Sequence, residues 1–154
     1  MTASLYEWLL FLHVVAAMAW LGGTLVVSVL AAVALRSARP EEIARFARSL
    51  RVVGPAVLAP ATILLPALGI WMVVDSNAWD FGQTWVWLGL ALYAAAFLFG
   101  AAFQSRAAIG AERAAGAGDD AEALRRLREW SWGSRAIGVL LLVATWDMVF
   151  KPGL

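Results

Sequence analysis

Cysteine is absent from all 154 residues, while histidine and lysine each occur once, as His13 and Lys151. Such a chain builds no disulfide, thiolate nucleophile, zinc ribbon or iron-sulfur cluster, and a lone imidazole does not make a zinc cage. Charge is scarce as well. Asp, Glu, Lys and Arg make up 15% of the residues with a net charge of +1, against about 25% charged residues in soluble domains. The few basic residues are clustered, so there is no long cationic face for nucleic acid. A Gly-rich phosphate loop and a Ser-His-Asp nucleophile elbow are also missing. No residue is therefore assigned a catalytic role, and any redox chemistry has to come from a cofactor.

What the chain has in abundance is apolar surface. Hydrophobic residues are 62% of it, before its 13 glycines are counted. A folded domain of this length still exposes about a third of its unfolded surface. Here that third would be Leu, Val, Ala and Trp, which lipid solvates and water does not.

The uncharged runs predict an all-α polytopic membrane protein, a four-transmembrane-helix bundle forming a single membrane domain over residues 1–154. Trp8 to Leu35 carries no formal charge with His13 neutral, more than the ~20 residues an α-helix needs to cross the hydrocarbon. Val52 to Val74 and Phe81 to Ser105 are two further runs, bounded by Arg51, Asp75, Asp80 and Arg106. The fourth is shorter, Ala136 to Trp146 before Asp147, but Ile137 to Val143 has no polar face of the kind a surface helix needs. The expected spans are about 8–35, 52–74, 81–105 and 132–150, with connections 36–51 and 106–131.

Orientation follows from arginine. Ten of the twelve basic residues lie in the first and third connections and Arg135 stands at the adjoining start of span four, while the second connection has Asp75 and Asp80 but no Lys or Arg. The positive-inside bias puts the arginine-rich connections in the cytoplasm and both termini outside. A cleaved signal peptide is not expected, because Met1 to Tyr6 has no positive charge and the apolar run is too long for an h-region.

In the first connection, Pro40, Glu41 and Glu42 open a helix with Ile43, Phe46 and Leu50 at helical spacing, expected to lie on the inner membrane surface. In the third, Gly116 and Gly118 break the chain, Asp119 or Asp120 caps, and a helix from Ala121 continues into span four. Glu122 and Arg126 stand four apart, as an ion pair requires.

His13 lies five residues inside Trp8, roughly 8 Å below that interfacial ring at helical rise. An ionisable group inside a membrane is by default a functional candidate, and neutral imidazole is the form that ligates haem iron or copper. The alternative is an imidazole that hydrogen-bonds a Ser, a Thr or a carbonyl across a helix interface. Residues near it at helical spacing are Ala16, Ala17, Trp20, Gly23, Thr24 and Ser28. This small-residue surface suits a tight helix contact, and equally a flat macrocycle or quinone against the wall of Trp20.

Span four ends with Asp147, Met148 and Lys151. Asp147 and Lys151 are four apart in the favourable acid-first order, so an ion pair at the rim is the plain expectation. The functional alternative has Asp147 orienting His13 and Lys151 meeting an anionic group such as a propionate. Met148 is a candidate thioether ligand beside His13. Pro60 and Pro66 in span two free the carbonyls of Ala56 and Thr62, which other groups must satisfy. Trp8, Trp71, Trp79, Trp85, Trp87 and Trp146 form an aromatic belt at the outer boundary.

The first span, Leu9-Leu10-Phe11-Leu12-His13 through Trp20-Leu21-Gly22-Gly23, resembles the start of bacterial CopD-like membrane proteins. With the ending Asp147-Met148-Val149-Phe150-Lys151-Pro152-Gly153, the chain resembles the predicted integral membrane proteins of domain of unknown function family 2269 over nearly its whole length. More distantly it is similar to the HemJ protoporphyrinogen oxidase bundle, whose first-span His matches His13. The resemblance implies a four-helix bundle of the bacterial cytoplasmic membrane with His13 as the one residue matching a haem-associated role, haem b being the expected cofactor and copper the alternative. From the residues themselves, Trp20, Asp147 and Lys151 join His13 as cofactor-binding groups, and Met148 joins His13 as a metal ligand. A homodimer or a larger membrane complex is the expected partner besides the bilayer. The competing readings are a structural or accessory subunit, and copper or small-solute transport.

Overall fold

Ser4 Oγ accepts from the Glu7 backbone N–H at 3.3 Å while the Glu7 carboxylate accepts from the Ser4 N–H at 2.7 Å. This reciprocal cap starts the first helix. In the computed structural model, which describes residues 4–154, that helix is α1, Leu5–Ser37. It is followed by α2 (Pro40–Asp75), α3 (Thr84–Gly116) and α4 (Asp120–Phe150). All four are long and apolar enough to cross a membrane, and there is no strand among the described residues.

The turns are as the residues dictate. Gly118 takes φ +76°, a left-handed conformation open to glycine, and Asp119 then caps α4 by accepting from the Glu122 N–H at 3.0 Å. Outward-facing side chains are large and apolar: Met18, Val29, Ile63, Leu98 and Val139 are each more than half exposed. Hydrocarbon is the solvent that such a surface fits.

Around the bundle the order is α2, α1, α4, α3. α1 packs on α2 and α4, α4 packs on α3, and in their apolar parts α2 and α3 touch each other least. The buried stripe of α1, Leu9, Ala16, Trp20, Thr24, Val27, Ala31 and Ala34, repeats at three-, four- and seven-residue steps, the period of one helix face. Its small members bring backbones close. A methyl group on Gly23 would stand 2.8 Å from Leu58 Cδ2 of α2.

One expectation is corrected. The segment from Pro40 does not lie flat as a separate helix but runs on into α2. Ile43 and Phe46 are buried with Ala107, Ala114, Leu127 and Trp130, and Phe46 meets Trp130 edge to face at 5.0 Å. The apolar face that suggested a surface helix is covered instead by the extensions of α3 and α4. Continuity is preserved by a wide π-turn at Gly54–Leu58, closed by the Ala59 N–H on the Gly54 carbonyl. This turn takes up Pro55, which lacks the N–H a regular turn needs. A second π-turn, Gly100–Gln104, interrupts α3.

Candidate functional site

Pro66 organises the site. Its missing N–H leaves the Thr62 carbonyl without its usual helical partner, and the Tyr93 hydroxyl of α3 donates to that carbonyl at 3.0 Å. One turn further along α2, on the same face, the Leu65 carbonyl lies 2.9 Å from His13 Nδ1. A carbonyl only accepts, so Nδ1 carries the proton and Nε2 keeps its lone pair. Gly69 leaves room for the ring: a methyl there would stand 3.0 Å from His13 Cε1 and 3.4 Å from Nδ1. The imidazole is thus half-buried, oriented by α2 and offers one neutral nitrogen.

Trp20, two turns deeper on α1, is buried with Ala61, Ala96, Ile137 and Leu141. Its ring meets Tyr93 edge to face at 5.8 Å, and Tyr93 in turn stacks on Phe97 at 5.9 Å. The aromatic chain is therefore centred on the residue whose hydroxyl satisfies the proline-freed carbonyl.

The end of α4 is arranged differently from the expectation of a rim ion pair. Asp147 is fully buried, and neither of its carboxyl oxygens has a hydrogen-bond partner among the described residues. Oδ2 faces Gly89 of α3, where a methyl group would come within 3.1 Å of it, and Met148 leans on the same glycine. The Lys151 backbone N–H donates to the Asp147 carbonyl at 2.8 Å, but its ammonium does not pair with the Asp147 carboxylate. Lys151 terminates the helix with φ +45°, and its Nζ lies 4.0 Å above the Trp79 ring and 5.5 Å from that of Trp85. Two indoles meeting edge to face at 5.3 Å offer the ammonium a cation–π seat. Trp85 is buried and Trp79 half-buried in this cluster, with Trp79 also donating to the Tyr6 hydroxyl at 3.0 Å. Of the six tryptophans expected in the outer belt, Trp8, Trp71, Trp87 and Trp146 are exposed.

His13 therefore packs on α2, whereas Asp147 and Met148 pack on α3. Among the described residues no group of three His, Cys, Asp or Glu gathers to hold an ion. The residues that sequence reasoning passed over are Leu65, Gly69 and Tyr93. Tyr93 had a legible signal, since Pro66 announces a carbonyl in need of a donor.

Compared with known proteins, the chain matches, over residues 7–152, the model of a family described as predicted integral membrane protein (DUF2269). No curated protein and no solved structure matches it.

Proposed function

The chain belongs to the DUF2269 family of predicted integral membrane proteins, and on that premise we propose that it binds a b-type haem through His13 Nε2. One observation carries this reading: the 2.9 Å hydrogen bond from His13 Nδ1–H to the Leu65 carbonyl. A ligating histidine regularly donates its second ring nitrogen to a carbonyl or carboxylate, which fixes the tautomer and the ring plane. Haem is favoured over a bare copper ion by ligand number. A macrocycle brings four nitrogens and needs one axial ligand from the chain, whereas an ion would depend on a cluster that the described residues lack. Haem supplies one-electron chemistry, and a redox role in the membrane is the activity this reading points to. The protein's share is to present a neutral imidazole, hold its plane between Leu65 and Gly69, and keep bulk water away with the surrounding apolar helices.

The same proposal places the protein in a bacterial cytoplasmic membrane, with the arginine-rich end in the cytoplasm and both termini outside, as the arginine distribution favours. With one imidazole per chain, His13 would supply a single ligand in a monomer and, together with the His13 of a second copy, two in a twofold dimer. Titrating haemin into the detergent-purified protein and into His13→Ala tests the assignment. A shifted Soret band that saturates near one haem per chain or per dimer, and is lost in the variant, supports it. Identical spectra for the two proteins reject it.

A further inference from the structure

Between α2 and α3 there is a cavity of about 330 Å³, within the range of small-molecule sites. Trp20 and Thr24 of α1 and Ser134 of α4 line it together with Thr62 of α2 and Phe97 and Gln104 of α3. Its place in the fold is defined by two cross-links. On one side the Tyr93 hydroxyl reaches across from α3 to the Thr62 carbonyl of α2 at 3.0 Å, and on the other Arg51 of α2 pairs with Glu112 of α3. Between these ties the two helices scarcely meet, and both carry their π-turns at this level, Gly54–Leu58 and Gly100–Gln104. π-turns inside long helices concentrate at functional sites. The window does not include His13, so it is separate from the proposed haem ligand.

Among the described residues no charged side chain lines the cavity. Its walls combine aromatic faces, Trp20, Phe97 and Trp130, with uncharged hydrogen-bonding groups, the hydroxyls of Thr24, Thr62 and Ser134 and the Gln104 amide. An ion or phospholipid headgroup finds no counter-charge here; Thr62 Oγ1 already donates to the Ala59 carbonyl at 2.8 Å and Ser134 Oγ shares a hydrogen bond with Ser28 Oγ at 2.6 Å, but a bare acyl chain would leave the Thr24 hydroxyl and the Gln104 amide unanswered. We propose that the α2–α3 window is a binding site for an uncharged, lipid-soluble ring carrying carbonyl or hydroxyl groups, the quinone class. The ring stacks on Trp20 and Phe97 while its oxygens meet the hydroxyl and amide groups. Its tail leaves between α2 and α3, where the helices are apart.

The test uses detergent-purified full-length protein and a short-tailed ubiquinone analogue, decylubiquinone, read by quenching of tryptophan fluorescence, since Trp20 and Trp130 both border the cavity. Saturable quenching is expected in the wild type and in Ala102→Phe, which changes an exposed residue outside the cavity wall. It should weaken at least tenfold in Ala101→Phe, which places a ring at an exposed position on that wall. Both changes lie on the surface of α3, and equal melting temperatures establish that both variants fold. Quenching that rises linearly without saturating, or that is the same in Ala101→Phe, overturns the proposal. So does a co-purifying phospholipid that the quinone fails to displace.

Discussion

His13 and Leu65 are joined across α1 and α2 by a 2.9 Å hydrogen bond from the imidazole to a main-chain carbonyl one residue before Pro66. The ring's position depends on the absence of a side chain at Gly69. Gly69→Ala should therefore displace the imidazole and lower haem affinity by about tenfold, the scale of lost second-ligand support. Gly22→Ala, with nothing within 4 Å of the added methyl, should leave affinity unchanged. Haemin titration of the two variants checks this without altering His13 itself.

Tyr93→Phe removes the donor to the Thr62 carbonyl, at an expected cost of about 0.6 kcal/mol and up to roughly 1.7 by analogy with other interhelical bonds in membranes. In a Pro66→Ala background an N–H returns to that carbonyl, so the same change should cost less. A double-mutant cycle read by denaturation in mixed micelles measures the coupling.

Asp147 is buried, and among the described residues neither carboxyl oxygen has a partner. Replacing an unanswered polar group with an apolar one of the same branched shape relieves desolvation, so Asp147→Leu should raise the melting temperature. A fall of several degrees would show that the carboxyl is bonded to something in the native membrane.

At the arginine-rich end of α4, hydrogen bonds from Arg125 and then Arg126 hold the Glu122 carboxyl down to about 2, from an ordinary 4.5. The side chains meet at 2.6 Å and 2.8 Å. A depressed carboxyl stabilises the fold above its ordinary value and ceases to as pH falls through the lowered one. Parent and Glu122→Gln should differ slightly in melting temperature at pH 6 and converge at pH 2. Because these groups are exposed, the difference should also shrink in high salt.

The fold was legible where one physical cause acts alone. Uncharged length gave the four helices, and Gly118 followed by Asp119 gave the last turn. The small-residue stripe of α1 marked a close helix contact, which Gly23 and Leu58 make. Glu122 and Arg126 pair at the spacing that suggested it. Legibility failed where two segments compete for one partner. The Pro40 face could be covered by headgroups or by helices, and periodicity does not distinguish them. Lys151 had Asp147 four residues back, but the positive φ at the helix end and two indoles from the α2–α3 connection and the start of α3 drew it away. The acceptor for His13 is a main-chain carbonyl, as the helix-interface reading allowed, but no side-chain pattern says that it belongs to Leu65.

All of these roles depend on four crossings with the two termini on one side. With no native cysteine, single substitutions at the exposed positions Asn77, Ala117 and Leu154 give a clean readout in intact cells with a membrane-impermeant maleimide. Asn77→Cys and Leu154→Cys should label from outside, and Ala117→Cys only after the membrane is permeabilised. Labelling of Leu154→Cys and Ala117→Cys from the same side would contradict the four-span arrangement and the depth assigned to His13.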